Sequence, residues 1–195
     1  MIVKVYISLF MILLYNYFFG NLKLFVMFYL FILMHELSHM IMAIILDVDI
    51  QEISLMPIGV NAKYEGKISN KKELFVSLAG PIASMIFAIL YNNKLYFIIN
   101  ICIFSFNILP IYPLDGGRIL RIILKFIFGD RIGIKVSQYI SCILIFVLLV
   151  ISIFLVLYYK YFFLLLLTLY IFRITREEMK KEKIIQSIKY LQIEK

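Results

Sequence analysis

Apolar residues run along this chain in long blocks, broken by short clusters of charge, proline and glycine. Six blocks are long enough to cross a bilayer as helices: residues 3–19, 22–46, 74–91, 95–112, 137–156 and 159–175. Each lies near the ~20 residues that a crossing helix needs. Residues 137–172 are almost continuously apolar and too long for one crossing, so a break is expected at Lys160. Three stretches follow another pattern. Residues 47–72 alternate in places around Pro57 and Gly59, which predicts a small hairpin at the membrane surface. Residues 118–128 set Arg118, Arg121 and Lys125 on one face, the pattern of a basic helix lying on the bilayer. Residues 176–195 carry Ile184, Ile188 and Leu191 at helical spacing in an otherwise polar tail.

The expected fold is an all-α polytopic membrane protein of about six transmembrane helices, with a β-hairpin between spans two and three. Residues 1–175 form the six-span domain and residues 176–195 a short cytosolic amphipathic tail. The first block carries one Lys and an apolar core, as a signal peptide would. It lacks a small-residue cleavage site and another apolar run follows at once, so it is read as a retained span.

Composition agrees: 64% of the 195 residues are hydrophobic and 16% charged, against roughly half and a quarter in soluble domains. The net charge of +8 is accounted for by topology rather than by a nucleic-acid partner. With both termini in the cytosol, 17 of the 20 Lys and Arg residues fall on the cytosolic side. Only Lys23, Lys94 and Lys160 fall outside, a bias of the kind that orients membrane proteins. Cys102 and Cys142 lie in apolar runs and make no metal or disulfide framework.

The polar exceptions carry the chemistry. Residues 35–39 read HELSH inside the second block. His35 and His39 share one helical face, so both imidazoles can address one ion. Glu36 stands beside them as a candidate general base toward water that the metal activates. These are the only two histidines in the chain. Ionisable groups inside a span are costly and usually functional, which argues against plain packing roles. A catalytic zinc takes three protein ligands and keeps an open position. Asp115, in NILPIYPLDGGRIL (107–120), is the best candidate for the third, with Asp130 as fallback. Pro110 and Pro113 break regular helix there, and Gly116 and Gly117 permit an irregular turn. The alternative is a solvated Asp-Gly-Gly turn just past a span.

Together HELSH, SLAGPIAS (77–84) and N-x-L-P-x-x-P-L-D-G-G-R resemble the site-2 protease family of intramembrane zinc proteases, in its sporulation branch. The resemblance covers about residues 5–135 by motif and all six spans by layout. It implies zinc (Zn2+) held by His35, His39 and Asp115, with Glu36 as general base. It implies that Asn107 engages substrate; by itself Asn107 is a polar residue inside a span, suited to a helix–helix hydrogen bond. Ser77, Gly80 and Ser84 read only as a face for close helix packing.

The resemblance further implies a membrane-associated substrate, the precursor of a sporulation sigma factor, clipped near the cytosolic face. Inhibitory membrane partner proteins and a location in the membrane around the forespore follow from it too. Members of that branch carry a nucleotide-sensing CBS domain after the last span; here a tail of some twenty residues stands in its place, which puts ATP-linked regulation in doubt. Residues 47–66 either pair with an unwound substrate strand, in which case prolines within 53–64 impair cleavage while zinc stays bound, or only plug the membrane surface. A prenyl-protein endopeptidase would take a span-borne Glu as third ligand, and none suits. A zinc transporter or silent scaffold remains the alternative, and it has no use for the general base Glu36.

Overall fold

The computed structural model describes residues 2–5, 22–56, 59–64, 68–160 and 162–193. The chain divides into two compact units, residues 1–108 and 109–195.

The first unit contains β1 (Ile2–Val5), α1 (Leu22–Ile45), β2 (Ile50–Met56), β3 (Gly59–Tyr64), α2 (Asn70–Leu90) and α3 (Lys94–Asn107). β2 is the centre of a three-stranded sheet. It pairs antiparallel with β3 (Ile53 opposite Ala62) and parallel with β1 (Val3 opposite Ile53). Residues 3–5 are therefore strand, not the start of the first expected span; the rest of that block, 6–19, lies outside the described residues. A run of β-branched residues such as IVKV suits a strand as well as a membrane helix, and a long-range pairing decides it.

α1 ends in a backbone lock. Val48 N–H donates to the Ala43 carbonyl at 2.9 Å and Asp47 N–H to that of Ile44 at 3.1 Å. Asp47 takes the left-handed conformation (φ 49) that this double closure requires. Val48 folds back onto Ala43 and Val76 to make a buried apolar cluster, flanked by Met42, Leu46, Ile50 and Ile68. Ser69 caps α2 by accepting from Lys72 N–H.

α3 has 14 residues, about 21 Å of helix, short of a ~30 Å hydrocarbon core. The expected span 95–112 therefore stops at Asn107. Pro110 lacks an amide proton and disfavours helix at the residue before it.

The second unit contains α4 (Asp115–Tyr159) and α5 (Phe163–Ile193). α4 is two helical arms joined at Gly129, whose φ of 78° and ψ of 165° suit glycine alone. The arms close tightly: a Cβ at Gly133 would lie 2.5 Å from Lys125 N. The expected surface helix 118–128 is the first arm, and the expected span 137–156 lies in the second. Lys160, left-handed at φ 58, separates α4 from α5 where the break was expected. α5 then runs through residues 163–193 as one helix.

α4 begins at Asp115 itself, so Gly116 and Gly117 are in its first turn and are not a free loop. Gly117 is needed for a different reason from turn freedom: a Cβ there would overlap the backbone of Ile111 and Tyr112.

Among the described residues, α1, α2 and α4 are long and apolar enough to cross a membrane. Their outer faces carry Ile44, Ile89, Phe146 and Leu157, each at least 66% exposed. Bare surface of this kind belongs in lipid, not water, and the chain is a membrane protein.

Candidate metal centre

α1 and α2 run antiparallel, with Ala43 against Val76 at one end of their seam and His35 against Ser84 toward the other. The histidines at i and i+4 on α1 therefore meet a stripe of small residues on α2. His35 is 1% exposed and His39 7%. Buried imidazoles need partners, and each has one at Nδ1.

His39 Nδ1 lies 2.6 Å from the Val76 carbonyl oxygen. A carbonyl only accepts, so Nδ1 of His39 carries a proton, and in the neutral ring that leaves the lone pair on Nε2. His35 Nδ1 lies 2.8 Å from Ser84 Oγ, a group that can accept in the same sense. A second partner that fixes the tautomer and ring orientation is what metal-ligating histidines ordinarily have.

The two Nε2 atoms face each other at 3.3 Å. Two nitrogens on a tetrahedral zinc, each at about 2.05 Å, stand about 3.3 Å apart. The pair is thus spaced as adjacent zinc ligands. Gly80 makes room for it. A Cβ at Gly80 would overlap His39 Nε2 and lie 2.7 Å from His35 Nε2.

Ser84, Gly80 and the Val76 carbonyl are the groups packed around the histidines that sequence reading passes over. A stripe of small residues has the same signature whether it packs helices or clears space for ligands. Only the inter-helix register separates the two.

The remaining candidates are placed as follows. Glu36 follows His35 on α1 and is half-buried. Asn107 is the last residue of α3, and its side-chain N–H donates to the Ile103 carbonyl in its own helix at 3.0 Å. Asp115, in the second unit, is 7% exposed and is the first residue of α4. Asp130 is exposed directly after the kink at Gly129. His35, His39 and Asp115 are thus three buried residues, each offering one ligand atom of a kind zinc accepts.

A model of peptidase family M50 matches residues 23–93 and 91–151. The chain belongs to peptidase family M50. Within this family it is similar to a zinc metalloprotease of Methanocaldococcus jannaschii, 33% identical over 132 residues, 58% of this chain and 38% of that protein. It is also similar to stage IV sporulation protein FB of Bacillus subtilis, 30% identical over 136 residues, 60% of this chain and 47% of that protein. The alignments to these M50 relatives span less than half of their length. The fold resembles the solved site-2 protease from Methanocaldococcus jannaschii with a TM-score of 0.68 and 27% identity, over 90% of this chain and 89% of that one.

Proposed function

We propose that this M50 chain is an intramembrane zinc metalloprotease that cuts a membrane-associated protein near the cytosolic face. The observation that carries the reading is the facing Nε2 pair of His35 and His39, 3.3 Å apart with their Nδ1 atoms engaged elsewhere. His35, His39 and Asp115 hold the metal in this proposal, and Glu36 is the general base. When bound, zinc supplies Lewis acidity, lowering the pKa of water toward ~7 and polarising a carbonyl.

The protein's own part is positioning and proton handling. His39 is held by the Val76 carbonyl and His35 by Ser84, so neither ring needs to reorient when metal binds. Glu36 takes the proton of the attacking water and delivers it to the departing amine. Asn107, released from Ile103, engages the substrate backbone. The apolar exterior keeps the site at bilayer depth, where a substrate helix must first unwind to expose a carbonyl.

The layout proposed is six spans with both termini cytosolic, α3 being a short crossing that the bilayer thins to meet; the distribution of Lys and Arg supports it. The substrate proposed is the pro-sequence of a sporulation sigma factor in the membrane around the forespore, held in check by membrane partner proteins. The similarity to a sporulation protein supports it.

Co-expression with a sporulation pro-sigma factor tests the reading. The parent chain shortens the precursor, whereas Glu36→Gln and Asp115→Ala do not. Glu36→Gln keeps its zinc and Asp115→Ala loses it. Full cleavage by Glu36→Gln would refute the general-base role and the hydrolytic mechanism with it.

A further inference from the structure

Residues 111–114 lead directly into Asp115, and the main chain there is gripped by two hydroxyls. Tyr112 N–H donates to Ser141 Oγ at 3.0 Å. Thr175 Oγ1 donates to the Tyr112 carbonyl at 2.6 Å. Ser141 is 1% exposed and Thr175 3% exposed. Ser141 spends its own proton on the Ser137 carbonyl at 2.9 Å, which leaves its oxygen as the acceptor for Tyr112. Thr175 shares its proton with the Ile171 carbonyl at 2.8 Å.

Both backbone polar groups of one residue are therefore satisfied by side chains from two helices, the second arm of α4 and α5. Serine and threonine inside helices ordinarily bond only their own preceding turn; these two also reach out. Arg121 closes a third side, its guanidinium 5.0 Å above the Tyr112 ring. From the next turn, Leu114 N–H returns to the Ile111 carbonyl at 2.8 Å. The segment has little freedom left.

Its position matters because Tyr112 is three residues before Asp115. Metal ligands must be held to about ±0.2 Å. A rotation of the Tyr112 peptide would carry the start of α4, and the Asp115 carboxylate with it, by more than that.

We propose that Ser141 and Thr175 are positioning residues that set the Asp115 carboxylate for metal binding through Tyr112. The proposal rests on Asp115 being a zinc ligand. Neither hydroxyl touches the ligand itself; they act on the backbone that carries it.

The test uses the full chain purified in detergent, as Thr175→Val, Ser141→Ala, Thr175→Ser and Asp115→Ala. Two quantities are read: the rate of zinc loss to a chelator, and the rise in Tm that zinc produces over the metal-free protein. Thr175→Val and Ser141→Ala are expected to lose zinc at least about tenfold faster and to show a smaller zinc-dependent rise. Thr175→Ser, which keeps the hydroxyl, is expected to match the parent. A purely structural role would lower both melting points together and leave their difference unchanged, and that result overturns the proposal. So does Thr175→Ser behaving like Thr175→Val, since the methyl group would then be what matters. If Asp115→Ala loses zinc while Thr175→Val and Ser141→Ala keep it, the positioning role alone fails. If Asp115→Ala keeps zinc as the parent does, the ligand assignment fails and the positioning role falls with it.

Discussion

Gly80→Ala isolates the contribution of the inter-helix seam to the metal centre. The added methyl would overlap His39 Nε2, lie 2.5 Å from His39 Cε1 and 2.7 Å from His35 Nε2, where ordinary contact begins near 3.4 Å. Relief requires the His35 ring to retreat by about 0.7 Å and the His39 ring by more, against a ligand tolerance of about ±0.2 Å. Neither ring can retreat without lengthening its bond to Ser84 or to the Val76 carbonyl. Zinc affinity should fall at least ~100-fold, about 2.7 kcal/mol. The effect on the bare helix has the opposite sign, because alanine favours a helix interior over glycine by about 1 kcal/mol. A variant that is merely misfolded would not combine a metal-free Tm at or above the parent's with lost metal. The assay is zinc content by elemental analysis after dialysis against graded free zinc, with metal-free Tm measured in parallel. Gly80→Ala protein that binds zinc as tightly as the parent would refute the assignment of Gly80 and the seam geometry built on it.

Two further outcomes follow from the first unit. Ser84→Ala removes the partner of His35 Nδ1 and should weaken zinc binding about 10- to 100-fold, while Ser84→Thr, which keeps an oxygen, loses less; equal losses in the two would point to packing instead of the hydrogen bond. Asp47→Gly relieves a left-handed residue at the end of α1 and should stabilise by up to about 1 kcal/mol, read as a rise of about 2–4 °C in Tm; a fall would mean that the Asp side chain contributes more than its backbone costs.

Local pattern made much of this protein legible. The HELSH spacing specifies two imidazoles on one helix face whatever the surroundings, because a helix repeats every 3.6 residues. Pro110 and Pro113 mark the end of α3 through a missing donor and a steric clash, both local effects. The polar break at Lys160 in a run too long for one crossing is local in the same sense, and so is the density of apolar residues that makes this a membrane protein.

What the tertiary structure decided is everything that depends on which residues meet across distance. Residues 2–5 are a strand because β2 offers them a parallel partner, and no period within four residues can announce that. Ser84, Gly80 and the Val76 carbonyl support the histidines because α1 and α2 pack in one antiparallel register; shifted by a turn, the same small residues would be packing alone. Gly117 is glycine because the backbone of 111–112 passes over it, and Ser141 and Thr175 hold Tyr112 from positions 29 and 63 residues away. Sequence period fixes the direction of a side chain relative to its own helix axis. Only the packing of one axis against another determines what that side chain touches.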